Sequence, residues 1–139
     1  MPDTSLLQYT HQFRVAYHET DGQRRVHHAN FIKYFEDARV EMLRAGGVTY
    51  KQVEDAGRLL VVTEMSVRYM AAAEFDDWLR LEVRVTEIRK VRLRHHYRIF
   101  RDETLICDAD STIASVDHTG RPKKLPPEFL EYAGKYEST

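Results

Sequence analysis

The stretch from Tyr17 to Phe31 reads YHETDGQRRVHHANF and gathers the side chains best suited to chemistry into fifteen residues. Asp21 offers a carboxylate, a group ionised in water at neutral pH and able to act as nucleophile or general base without an activating partner. His27 and His28 follow, and Asn30 then opens a run in which Phe31, Tyr34, Phe35, Ala38, Met42 and Ala45 recur at helical spacing. Its side-chain oxygen makes Asn30 a candidate N-cap. A helix starting there presents unpaired backbone N–H groups and the positive end of its dipole, which together can hold negative charge growing on a substrate oxygen. On local grounds alone, an Asp followed by Gly is more often a turn residue than a catalytic one. Two adjacent histidines are poorly arranged to bind one ion and no third ligand accompanies them, so no metal is expected.

These residues need elements to hold them. Gln12 to Tyr17 alternates, with Phe13, Val15 and Tyr17 on one side, as a half-buried strand does. The helix that follows is stopped by Gly46-Gly47, and TYKQVEDA predicts a second, short helix capped by Thr49 and closed at Gly57. Four strand-like segments come next, near Leu59–Met70, Trp78–Ile88, Val91–Phe100 and Leu105–Val116, joined by polar turns such as RDET. A last helical turn is expected in EFLEYAGKY. Strands and helices are segregated, which predicts an α+β fold: a five-stranded antiparallel sheet, its last four strands meandering, curled around the long helix. One sheet face and an edge are left needing cover, so a homodimer or homotetramer is expected.

At 139 residues, one domain is expected. A net charge of -1 argues against a general polyanion binder, and no nucleic-acid partner is expected. Charge is nevertheless segregated, with six basic and no acidic side chains from Arg89 to Arg101. The single cysteine, Cys107, cannot form an internal disulfide and reads as a small buried side chain of a reduced, cytoplasmic protein. The N-terminus lacks the pattern of an export signal, and no segment approaches the length of a membrane span.

The motif as a whole resembles the hot-dog-fold acyl-CoA thioesterases of the 4-hydroxybenzoyl-CoA and Tol-Pal-associated type. The matching features are a tyrosine, an acidic-Thr-Asp step, a Val-x-His-x-Asn turn and a helix written Y-F-E-x-A-R, within YHETDGQRRVHHANFIKYFEDARVEMLRAGG. Downstream, VRYMAAAEFDDWLRLEVRV and VDHTGRPKKLP are similar to the family's small-residue bend with its Asp-Asp pair and to its closing hairpin, so the likeness spans roughly Gln12 to Pro126. It implies that Asp21 attacks the thioester carbonyl or activates water. It also implies that the His28 backbone N–H serves the oxyanion and that Tyr17 supports the acyl group or the water. His27, where relatives vary, is expected to line the pocket or to reach across the dimer, and Asn30 to bind substrate. Arg89 and Lys90, assisted by Arg92 or Arg94, would hold the phosphates of CoA, which enters as part of the substrate, and no cofactor is implied. Alternatives within the same fold are an acyl-CoA hydratase or dehydratase and a non-catalytic acyl-CoA binder.

The chain departs from the family pattern at Arg24, where relatives usually carry glycine, and at Ala72 and Glu74 in the bend. If that glycine allows close backbone approach to the ligand, Arg24 must redirect the loop or reshape the pocket. Elsewhere, Glu36 and Arg39 are expected to form a surface or dimer-contact ion pair. His95-His96 is expected to be structural, and Trp78 to be a packing residue.

Overall fold

The computed structural model describes residues 6–132. Strand β1 (Gln8–Arg14) leads through one 3-10 turn (Tyr17–Glu19) and a loop to helix α1 (Asn30–Ala45) and the short helix α2 (Tyr50–Asp55). Strands β2 (Leu59–Tyr69), β3 (Trp78–Ile88), β4 (Arg92–Arg101) and β5 (Thr104–Val116) follow, with α3 (Pro127–Leu130) after them. The expected helical turn near the C-terminus is therefore α3, and the part of EFLEYAGKY beyond residue 132 lies outside the described residues.

The helix boundaries follow from local chemistry. Past Ala45 the backbone amides of Gly47 and Val48 turn back onto the carbonyls of Arg44 and Leu43 at 3.1 and 2.9 Å, a closure that needs the left-handed φ of 83° at Gly47. At the start of α2, Thr49 Oγ1 accepts the Gln52 N–H at 3.1 Å while Gln52 Oε1 accepts the Thr49 N–H at 2.9 Å.

All five strands form one antiparallel sheet in the order β1-β3-β4-β5-β2. Three of the four later strands meander as expected, but β2 does not lie beside β3. Both edges of β3 are taken, by β1 and β4, and β2 pairs with the far side of β5. The sheet wraps α1, whose buried face of Phe31, Tyr34, Phe35, Ala38, Met42 and Leu43 meets the inward residues of the central strands. Leu79, Leu81, Val83 and Val85 come from β3, and Leu93, Tyr97 and Ile99 from β4. Phe35 packs against Tyr97 with ring centroids 4.5 Å apart and the ring planes tilted by 33°. The alternation in β4 is as its sequence predicts, since Arg92, Arg94, His96 and Arg98 take the outward face.

Strand β1 starts earlier than the alternation suggests and ends at Arg14, the last residue paired to β3, opposite Trp78. Tyr17 has left the strand and is 75% exposed. Arg39 is also not at the surface. It is only 5% exposed and donates from Nη1 to the Tyr97 hydroxyl at 2.9 Å, because its position on α1 turns inward over the sheet. The expected Glu36–Arg39 ion pair is thus replaced by a buried polar cluster, in which Tyr97 Oη also meets Ser111 Oγ at 2.6 Å. Trp78 is half exposed rather than packed inside, lying under the Arg14 guanidinium and donating to Gln12 Oε1.

Candidate active site

The chain from Val15 to His28 leaves β1 and returns to α1 as a small hairpin. Thr20 bridges Val26, the Asp21 N–H donates to the Arg25 carbonyl at 2.7 Å, and the His27 N–H donates to the Glu19 carbonyl at 3.0 Å. At the tip, Asp21 Oδ1 accepts the N–H of Gln23 at 2.8 Å and that of Arg25 at 3.3 Å. Asp21 is therefore the turn residue that local reasoning favours. The same geometry orients its carboxylate, because Oδ1 is committed to the loop while Oδ2 has no hydrogen-bond partner among the described residues.

The Arg24 N–H closes a β-turn onto the Asp21 carbonyl at 3.2 Å, and its φ is 69°. The backbone here is thus left-handed, a conformation that favours glycine and that a side chain adopts at a cost of about 1 kcal/mol. Arg24 accepts that conformation and the turn remains closed.

Asp21 opens onto a cleft of about 520 Å³ lined also by Tyr17, Thr20, Gly22, Arg24, Glu74 and Phe75. Its far wall belongs to the connection between β2 and β3, held there by a bridge between Arg25 and Glu74 and by the Val26 N–H on the Ala73 carbonyl at 2.8 Å. Tyr17 meets Phe75 edge to face at 5.4 Å, giving the mouth an aromatic corner.

Glu19 does more than its place in the acidic-Thr-Asp step suggests. Its Oε1 accepts the Ala16 N–H at 2.7 Å and the Tyr34 hydroxyl at 2.9 Å, and its carbonyl accepts the Asn30 side-chain amide at 2.7 Å. Burial, with Glu19 beside it, pushes the Tyr34 hydroxyl well above the usual phenol range, so it stays a donor. This one residue ties the hairpin to the first turns of α1. Its sequence signal is a carboxylate fifteen residues before a tyrosine on the buried helix face, which helical spacing alone does not connect.

Asn30 is not the N-cap. The 27–30 turn brings it inside the helix, and the residue before it, Ala29, has no side chain to cap with. His27 instead accepts the amide just before the helix, its Nδ1 taking the Ala29 N–H at 3.2 Å. The His27 and His28 rings stack at 4.3 Å, and the His28 carbonyl accepts the Tyr69 hydroxyl at 3.1 Å. No acceptor takes the His28 N–H among the described residues.

The sequence-predicted residues thus fall into three groups. Asp21 and Tyr17 share the cleft; His27, His28 and Asn30 sit at the α1 terminus on the hairpin's other strand, outside the cleft lining. Arg89 and Lys90 are elsewhere, in the turn after β3. The hairpin adjoins the opposite end of that strand through the Val15 N–H on the Asp77 carbonyl, and eleven residues of β3 span about 35 Å. Arg89 is engaged by Glu87, whose carboxyl it holds below the usual range.

Other reactive groups are spoken for. Burial pushes the Cys107 thiol up to about 12, so it is not a nucleophile at neutral pH. His95 is 4% exposed, and burial, with Arg39 nearby, pushes it down to about 3, leaving it neutral. His96, Asp108 and Asp110 bring three ligand atoms within 4.8 Å of one another, but Arg68 Nη2 already lies 2.8 and 3.1 Å from the two carboxylates.

The family described as the thioesterase-like superfamily matches residues 15–132. The acyl-CoA thioester hydrolase YbgC of Escherichia coli O6:H1 is 34% identical over 118 residues, covering 84% of this chain and 85% of that protein. A Thermus thermophilus protein of known structure superposes with a TM-score of 0.85 at 25% identity, covering 96% of this chain and all of that one. A Staphylococcus aureus protein solved in complex with CoA superposes with a TM-score of 0.82 at 20% identity, covering 95% and 87%.

Proposed function

The chain belongs to the thioesterase-like superfamily, and from that premise we propose that it hydrolyses acyl-CoA thioesters to a free acid and CoA. The observation that carries the reading is the Asp21 carboxylate, tethered through Oδ1 so that Oδ2 is available to a cleft, on a hairpin that ends at the His28 N–H, which no acceptor takes among the described residues. In the reaction, Oδ2 adds to the thioester carbon, or it takes a proton from a water that adds. The carbonyl oxygen becomes negative and is held by the His28 N–H and the positive end of α1. Collapse of the tetrahedral centre breaks the carbon–sulfur bond and expels the CoA thiolate. If Asp21 itself has added, water then cleaves the resulting mixed anhydride. Tyr17 holds the acyl group or the water, and His27 and Asn30 shape the terminus where the oxyanion forms. No cofactor enters either route.

The active unit in this reading is a homo-oligomer. Strand β2 is a long edge, exposed along most of its length, with Val61, Val62 and Tyr69 open to solvent, and such an edge invites pairing. An oligomer also bears on Arg89 and Lys90. Across the length of β3 they are too far from their own Asp21 to hold the phosphates of the same CoA, so their role requires a second copy's cleft. The cytoplasm suits the single, unpaired, buried Cys107.

The test is thiol release from a panel of acyl-CoA thioesters, run beside Asp21→Asn. Release by the parent and its collapse in the variant support the reading. Binding without release would make the chain an acyl-CoA binder, and hydration of an unsaturated acyl-CoA without release would make it a hydratase. In single turnover in ¹⁸O-water, label found in Asp21 identifies the nucleophilic route, because it arises only when water cleaves the anhydride at the aspartyl carbon.

A further inference from the structure

Arg24 stands beside Asp21 against its own backbone preference. At a φ of 69° a side chain is disfavoured relative to glycine, yet a long cation occupies the position and lines the cleft. Its guanidinium makes no hydrogen bond or ion pair among the described residues. Arg14, Arg68, Arg98 and Arg101, by contrast, each hold a carboxylate of this chain. The β-turn closed by the Arg24 N–H on the Asp21 carbonyl keeps the two Cα atoms within about 7 Å. The backbone therefore roots the arginine close enough to Asp21 for its guanidinium and the carboxylate to serve one bound molecule.

The charges around them say which molecule. Among the described residues, the cleft lining holds two carboxylates, Asp21 and Glu74, against one arginine. An anion entering is repelled everywhere but beside the guanidinium, which matches a carboxylate through two parallel N–H···O bonds. We propose that Arg24 selects thioesters whose acyl chain ends in a carboxylate, the half-thioesters of short dicarboxylic acids. The thioester sits at Asp21 and the distal carboxylate at Arg24. This rests on the thioesterase reading above. The phosphates of CoA do not suit the position, because the whole pantetheine arm separates them from the sulfur while the turn keeps Arg24 next to Asp21.

The experiment compares glutaryl-CoA with hexanoyl-CoA, and the same two acyl groups as N-acetylcysteamine thioesters, on the parent, Arg24→Gln, Arg24→Lys and Glu74→Gln. Arg24→Gln should lower kcat/KM for both glutaryl thioesters about tenfold or more, mostly through KM, and leave both hexanoyl thioesters within about twofold. Arg24→Lys should recover part of the loss, and Glu74→Gln should favour the glutaryl thioesters further. Equal losses on all four substrates would reduce Arg24 to a structural or charge-balancing residue and overturn the proposal. A loss confined to the two CoA thioesters would assign Arg24 to the phosphates and overturn it as well. Hexanoyl-CoA turnover with no effect of Arg24→Gln on glutaryl-CoA sinks this inference alone, whereas no turnover of any substrate by the parent sinks the thioesterase reading with it.

Discussion

Asp21 Oδ1 accepts the backbone N–H of Gln23 at 2.8 Å, so the carboxylate is aimed by the turn it closes. An asparagine oxygen can accept the same N–H groups from Gln23 and Arg25, which separates the structural role from the chemical one. Asp21→Asn is therefore expected to melt within a few degrees of the parent while losing orders of magnitude in kcat. Circular dichroism melts and thiol release check this together. An active Asp21→Asn would remove Asp21 from the chemistry.

Glu19 joins the hairpin to α1 through Ala16, Tyr34 and Asn30. Glu19→Gln keeps an oxygen for the Ala16 amide and should cost less than Glu19→Ala, which strands both donors and is expected to destabilise by about 1–3 kcal/mol. Urea unfolding of the two variants measures the difference. Equal stabilities would show that the tie carries no weight.

His95 supplies a pH dependence whose sign is fixed by burial. Its folded pKa, about 3, lies below the unfolded value of about 6.5. The unfolded chain therefore takes up a proton that the folded one refuses as pH falls through 6.5, and stability drops. From pH 7.5 to 5 the loss from this one group is about 2 kcal/mol. Arg39, facing it in the core, adds repulsion against the charged form. Unfolding at the two pH values should show this slope in the parent and a shallower one in His95→Gln; parallel curves would count against a buried neutral imidazole.

If β2 joins two copies, a charge on its exposed edge breaks the assembly. Val62 is 45% exposed and lies in that strand. Val62→Lys is expected to yield a smaller species by light scattering and to lose thiol release in parallel. A parent that already runs as a monomer would end the oligomer proposal.

Much of this fold was legible in the residues. The apolar stripe of α1, the Thr49 box and the alternation of β4 are local patterns, and each element formed close to where its pattern lies. The order of strands was legible only in part. Which edge β2 takes depends on β1 occupying the side of β3 away from β4, a contact between segments some seventy residues apart.

The candidate active-site stretch divides the same way. Its chemical inventory, an ionisable carboxylate and a helix start in one loop, is a property of residue type and spacing, and the sequence by itself determined it. The tertiary structure decided which partner each group meets. His27 rather than Asn30 accepts the amide at the helix entrance, because the hairpin carries Asn30 into the helix. Arg39 turns inward to Tyr97, because only the curled sheet defines an inside for that face of α1. Arg89 and Lys90 end a strand's length from Asp21, because strand direction, which periodicity does not encode, carries them away.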